Sequence, residues 1–220
     1  MDAFALQKAL AAPPACEARP IVVKLGGSVI RSPDLSTWLD AIAAAPAPIV
    51  IVPGGGALAD EVRDCQQQLG FGDAAAHRMA LLAMDQLAWA VAGMQPGLEV
   101  GVTEDALREI IGRGHIAVWA PYALISGRAD VEASWRLTSD SLALWLAGKL
   151  GAGRCYLIKS IARKHSRVSA NALAQDGIVD EAFPAMLAET GVSTVLLGRG
   201  DQQALAASLS DNAPAGAVIE

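Results

Sequence analysis

A lysine closes a short apolar run at residues 21–24 and is followed at once by small residues, Lys24-Leu25-Gly26-Gly27-Ser28. A lysine at the carboxyl end of a buried strand stands where open α/β sheets place their ligands. Glycines beside it let backbone N–H groups approach phosphate oxygens closely. A second cluster, Pro53-Gly54-Gly55-Gly56-Ala57, lies between another apolar run and a helical pattern. Consecutive glycines are costly in backbone entropy, so an ordinary loop rarely carries them without a conformational need. An anion at the N-terminus of the following helix supplies that need. A third segment, Ser134-Trp135-Arg136-Leu137-Thr138-Ser139-Asp140-Ser141, opens a helix. Thr138 or Ser139 caps it, and Asp140 could order cations around a polyphosphate. Taken singly, each segment has a plain reading too: a solvated lysine, a turn, and a polar cap with Trp135 in the core.

Other groupings are weaker. Gly54-x-Gly56-x-x-Ala59 approximates a dinucleotide fingerprint, but that motif wants an acidic residue about twenty positions on, at the end of the next strand. Here Asp73 opens a helical pattern with no strand before it, and GxxxxGK[ST] is absent. His77 and Asp85 fall on one long helical pattern and could both face one cleft. The basic run from Arg163 to Arg167 is either a solvated loop or a phosphate contact.

The elements that must position these residues read as an alternation. Apolar runs at 21–24, 49–52, 116–119, 155–158 and 194–197 predict strands. Periodic segments at 35–45, 57–69, 74–93, 103–112, 139–150, 183–190 and 201–209 predict helices, with Thr103 as a cap. Strands alternating with helices predict a three-layer αβα sandwich around an open, mainly parallel sheet. Residues 1–20 read as a tail and 21–220 as the folded domain. Hydrophobic residues make up 53% of the 220-residue chain, so a substantial core is available. The net charge of −6 and the lack of a large basic cluster exclude nucleic acid as a partner. Cys16, Cys65 and Cys155 lack metal-site spacing and suit a reducing compartment. The apolar segment 79–94 contains Asp85 and Gln86 and is short for a bilayer, so no membrane contact and a cytoplasmic location are expected.

In their order along the chain, the three glycine- and Asp-bearing segments resemble the amino acid kinase family, over about residues 21–209. The resemblance implies an ATP-dependent phosphotransferase with Mg²⁺, acting on a small phosphorylated or anionic metabolite, and a homo-oligomer. It implies an acceptor lobe at about 21–130 and a nucleotide lobe at about 131–220. Lys24 would hold the transferring phosphoryl group and Asp140 would orient the cations. Gly26, Gly27, Ser28, Gly54, Gly55 and Gly56 would bind phosphate. A closer resemblance is carried by His77-Arg78-Met79-Ala80, Ala83-Met84-Asp85, Val179-Asp180-Glu181-Ala182-Phe183-Pro184 and Gly198-Arg199. These are similar to the kinases of methanofuran synthesis, which convert an aminomethylfuran methyl phosphate to its diphosphate. That likeness implies His77, Asp85, Trp135 and Thr138 as acceptor-binding residues.

One segment departs from the family. Many members carry Thr-Asp-Val-Asp-Gly after the strand at 155–158, where this chain reads Lys159-Ser160-Ile161-Ala162-Arg163-Lys164. The family's second phosphate-binding lysine also lacks a clear counterpart. Lys159, Ser160 and Lys164 are the substitutes expected for nucleotide binding, and no residue is expected to ligate a metal. A different acceptor (a carboxylate or isopentenyl phosphate) and a non-catalytic nucleotide or oxoanion binder are the alternative readings.

Overall fold

The computed structural model describes residues 19–162, 165–211 and 215–220; the expected tail up to residue 18 and Lys164 lie outside them. The described chain contains strands β1 (Ile21–Leu25), β2 (Ile49–Pro53), β3 (Leu98–Gly101), β4 (Ile116–Trp119), β5 (Arg154–Ile158), β6 (Arg167–Val168), β7 (Thr194–Leu197) and β8 (Ala217–Ile219). Helices α1 (Gly27–Ile30), α2 (Leu35–Ala43), α3 (Gly56–Leu69), α4 (Asp73–Ala92) and α5 (Glu104–Gly112) belong to its first half. The second half adds α6 (Tyr122–Ile125), α7 (Ser139–Leu150), α8 (Ala170–Gln175), α9 (Phe183–Thr190) and α10 (Gln202–Asp211).

The strands form one sheet in the order β3-β4-β2-β1-β5-β7-β8-β6. Neighbours are parallel except β7 and β8, which run antiparallel. The central strands are continuous apolar runs because helices cover both faces. Alternation along each strand then divides the core. Val22, Val50, Val52, Cys155 and Leu157 pack with α7 and α9 on one face. Val23, Leu25, Ile49, Ile51, Tyr156 and Ile158 pack with α2 and α10 on the other. The αβα architecture expected from the alternation is therefore observed.

Local chemistry sets the ends. Thr103 Oγ1 accepts from the Ala106 N–H, 3.2 Å, and caps α5. α3 closes on Gly70 at φ 73°, where a side chain would be strained. β3, β6 and β8 escape the sequence reading because each is short and carries only part of an apolar pattern. β3 is an edge strand, paired only with β4, so one side of it needs no partner. Among the described residues no helix is long and apolar enough to cross a membrane.

Candidate active site

β1 and β5 are central neighbours, with Lys24 opposite Leu157 in the register. Alternation sends Val22 and Lys24 to the same face, the one covered by α7. Lys24 is accordingly buried, at 2% exposure, and not a solvated charge at a strand exit. Its Nζ lies 2.5 Å from Asp140 Oδ1, in the first turn of α7. From the end of β5, Lys159 Nζ lies 2.6 Å from Asp140 Oδ2. One carboxylate thus bridges two ammoniums at the centre of the sheet's carboxyl edge. Burial alone would raise the Asp140 pKa, but the Lys24 and Lys159 charges prevail and hold it below the ordinary carboxylate value. Burial, then the charge of Lys24, pushes Lys159 down to about 8, against the opposing pull of Asp140.

The glycine turns close around this centre by backbone contact. A Cβ on Gly27 would meet Gly56 Cα at 2.5 Å and Gly56 N at 2.6 Å. A Cβ on Gly55 would lie 2.5 Å from Ala59 Cβ. Within the triple glycine the left-handed residue is Gly56, at φ 51°, while Gly55 sits at φ −70° and is excluded from change by contact alone. Two expected phosphate donors are corrected. The Gly26 N–H donates to Ile158 O at 2.9 Å and the Gly54 N–H to Leu25 O at 2.8 Å. Both amides are held by the sheet, so these glycines shape the turns. Gly27, Gly55 and Gly56 lie with Ser28 at the N-termini of α1 and α3 and line the cleft, as Gly54 does with its amide engaged.

The cleft encloses about 260 Å³ between Lys24, Asp140 and Lys159 at its floor and α3 and α4 at its wall. His77, Trp135 and Thr138, three of the four residues the resemblance implies for the acceptor, line it. Trp135 is held upright: its Nε1–H donates to Gln66 Oε1 at 2.6 Å, and the Arg63 guanidinium stacks over the ring at 4.1 Å. It is a wall of the cleft and not core. Burial lowers the His77 pKa, with a hydrogen bond to the Ser134 backbone opposing. Asp85 is corrected. It does not line the cleft; its Oδ1 accepts from the Tyr122 N–H at 3.0 Å and so caps α6. Burial raises its pKa, with that hydrogen bond opposing. The eight-residue offset from His77 carries it off the cleft-facing stripe. Ser160 lines a second cleft of about 350 Å³ with Arg199 and Ser32; Lys159 and Ser28 border both.

Sequence reasoning missed Arg63 and Asp180. Arg63 lies one helical turn below the Asp60 that it pairs with, 3.0 Å, and both line the cleft. Its signal was faint, a lone arginine on a polar helix face. Asp180 accepts from the N–H and hydroxyl of Thr138 and from the N–H and hydroxyl of Ser141. It thereby replaces the side-chain cap expected from Thr138, whose own hydroxyl donates away from the helix.

A buried strand-end lysine, a glycine cradle and an aspartate at a helix start now occupy one cleft. The model of the amino acid kinase family matches residues 19–172. The chain belongs to the amino acid kinase family. It is a phosphotransferase, with the fold the family predicts. The [5-(aminomethyl)furan-3-yl]methyl phosphate kinase of Methanocaldococcus jannaschii is 27% identical over 177 residues, covering 76% of this kinase and 82% of that one. The uridylate kinase of Archaeoglobus fulgidus superposes with a TM-score of 0.70 at 18% identity, covering 91% of this chain and 99% of that one. The UMP kinase of Ureaplasma parvum gives 0.64 at 14%, with coverages of 92% and 99%.

Proposed function

We propose that this kinase transfers the γ-phosphoryl group of ATP to the phosphate of an aminomethylfuran methyl phosphate, giving the diphosphate and ADP. The observation that carries the phosphotransfer is the Lys24–Asp140–Lys159 bridge beside the Gly27 and Gly55-Gly56 turns. Phosphoryl transfer asks mainly for positioning and neutralisation of spread-out charge. Lys24 and Lys159 place two cations where that charge develops, and Asp140 fixes their separation. An acceptor phosphate oxygen attacks the γ-phosphorus in line; the bond to the ADP oxygen breaks and ADP leaves with that electron pair. The attacking group is already mostly ionised near neutral pH, so no strong general base is required.

The acceptor side is supported by the wall of the cleft. Trp135 and the Arg63 guanidinium stacked over it form an aromatic and cationic wall, giving apolar contact to a furan ring and a charge to the phosphate already present on the acceptor. With Asp85 turned away, Asp60, paired with Arg63, is the cleft carboxylate besides the buried Asp140 and the candidate for the aminomethyl cation. The relative's 27% identity supports the furan phosphate as the first acceptor to try. For the nucleotide, a mainly apolar recess of about 560 Å³ lies past Lys159, lined by Ile161, Val168, Leu173 and Ile178 together with His165 and Asp176. Among the described residues no group of three or more His, Cys, Asp or Glu is placed to hold a metal. Mg²⁺ carried on the nucleotide phosphates would neutralise developing charge.

The same reading divides the chain at about residue 130. Strands from residues 21–119 occupy one side of the β1–β5 junction and later strands the other, which supports an acceptor lobe and a nucleotide lobe. The edge strand β3 and the exposed Trp89, at 66%, support a homo-oligomer. A cytoplasmic location completes the proposal. Coupled ADP release with the furan phosphate, isopentenyl phosphate and a carboxylate panel tests it. Diphosphate formation from the furan phosphate is expected. Turnover of another acceptor alone would replace the substrate, and ATP binding without turnover of any would leave a binding protein.

A further inference from the structure

The hydrogen bonds at the start of α7 come from outside the helix. Ordinarily the N-cap side chain accepts from an N–H two or three residues on. Thr138 occupies that place without doing so. Asp180 Oδ2 instead accepts from the Thr138 N–H at 2.9 Å, the Thr138 hydroxyl at 2.8 Å and the Ser141 N–H at 3.1 Å. Its Oδ1 accepts from the Ser141 hydroxyl. Asp140 lies between those two residues, so a single carboxylate pins the backbone on both sides of it. Asp180 is itself fixed by its surroundings. The Phe183 N–H donates to Asp180 O at 3.1 Å, the Ala182 N–H to Arg136 O at 2.9 Å, and Phe183 is wholly buried.

Charge gives a second reason for an aspartate here. Two buried lysines and one carboxylate leave the centre with a net positive charge, which a low-dielectric site tolerates poorly. Asp180 adds a second carboxylate at the start of α7; burial and the Asp140 charge raise its pKa, with its hydrogen bonds from Ser141 and Thr138 opposing. We infer that Asp180 is a positioning residue for phosphoryl transfer: it aims Asp140 at Lys24 and Lys159, and its negative charge stabilises the ammonium form of Lys159. This rests on the site being a phosphotransfer centre and not on the identity of the acceptor. The charges acting on Lys159 are Lys24 from β1, Asp140 from α7 and Asp180 from the loop before α9; of the clefts it borders, the first also contains Asp60, Arg63 and His77 and the second Asp34 and Arg199. Among these, Asp140 and Asp180 hold its pKa up against burial and the charge of Lys24.

The test needs no acceptor. In the full chain, the pH dependence of Lys159 acetylation by acetic anhydride is followed by peptide mass spectrometry, with the exposed Lys149 of α7 as internal control. Asp180→Asn keeps an acceptor oxygen for the cap but removes the charge. It should lower the Lys159 midpoint by about half a unit to one unit and the melting temperature by about a few degrees, and leave Lys149 unmoved. An unchanged Lys159 midpoint in this folded variant would overturn the charge role. Asp180→Ala removes cap and charge together. With whichever acceptor turns over, kcat per folded molecule should fall at least about tenfold, more than in the Asn variant, while KM for ATP shifts less. Wild-type kcat in the folded fraction of both variants would reduce Asp180 to a plain cap. If the Ala variant does not fold, the Asn variant decides through the labelling midpoint.

Discussion

The floor of the cleft and its wall are built in opposite ways. At the floor, Lys24, Asp140 and Lys159 are held by short ion pairs, and the glycine turns leave no room for a single Cβ. At the wall, Arg63 and Trp135 meet by stacking, and Arg63 is 43% exposed beside an exposed Asp60. A floor that must match developing charge to a fraction of an ångström gains from rigidity. A wall that chooses among acceptors can vary while the floor stays fixed. Substitutions at the floor should therefore act on kcat and those at the wall on KM.

The largest effect is expected from Lys24→Ala. Turnover should fall roughly 10²–10³-fold, the scale for losing one preorganised electrostatic contact. Because Lys24 is buried in an ion pair, stability should also fall, toward the lower end of the ~3–5 kcal/mol typical of a broken buried pair, since Asp140 keeps Lys159. Steady-state rates and a denaturant titration measure both. Near-normal turnover would break the contrast at once.

Gly27→Ala comes next. The added Cβ meets backbone atoms of Gly56, which cannot rotate away, so the two turns must part. At least about a tenfold loss in kcat is expected, as for other misplacements near an ångström. Unchanged ATP affinity and kcat would show the turns to be only connections.

The floor should also impose an alkaline limit. On the proposed reading Lys159 acts as an ammonium; burial brings its pKa down to about 8, so the protonated fraction falls as pH rises through that value. In the free-enzyme profile, kcat/KM should decline above about pH 8, approaching tenfold per unit. Lys159→Arg, which stays charged, should extend the profile upward even if its plateau is lower. A limb unmoved by that change belongs to another group.

At the wall, Trp135→Ala should raise the acceptor KM about three- to tenfold through lost stacking, with kcat nearly unchanged. A kcat loss as large as that of Lys24→Ala would erase the distinction between floor and wall. Asp85→Asn should do least. Its carboxylate caps α6, and an asparagine oxygen can still accept from Tyr122, so acceptor KM should stay within about twofold. Isothermal titration with the acceptor separates these two variants directly.

Much of this was legible along the chain. Periodicity located the central strands and the long helices, because burial on both faces demands continuous apolar runs. The glycine turns were visible as a cost in backbone entropy that needed a cause. Spacing on α4 was a poorer guide. His77 and Asp85 share one helix, yet only His77 lines the cleft, since the second residue meets the N–H of α6 instead. Gly26 reads as a free N–H donor, yet the sheet engages its amide, as it does that of Gly54.

By itself the sequence determined the αβα layering, the lysine at a strand end and the glycines beside it, because these follow from local pattern and backbone chemistry. Only the tertiary structure decided that Lys24 is buried, that Lys159 completes the bridge to Asp140, and that Asp180 caps a helix begun 41 residues earlier at Ser139. Those contacts join β1, β5, α7 and the loop before α9, elements far apart in sequence. The parallel sheet brings their carboxyl edges together, and no local pattern encodes which side chains then meet.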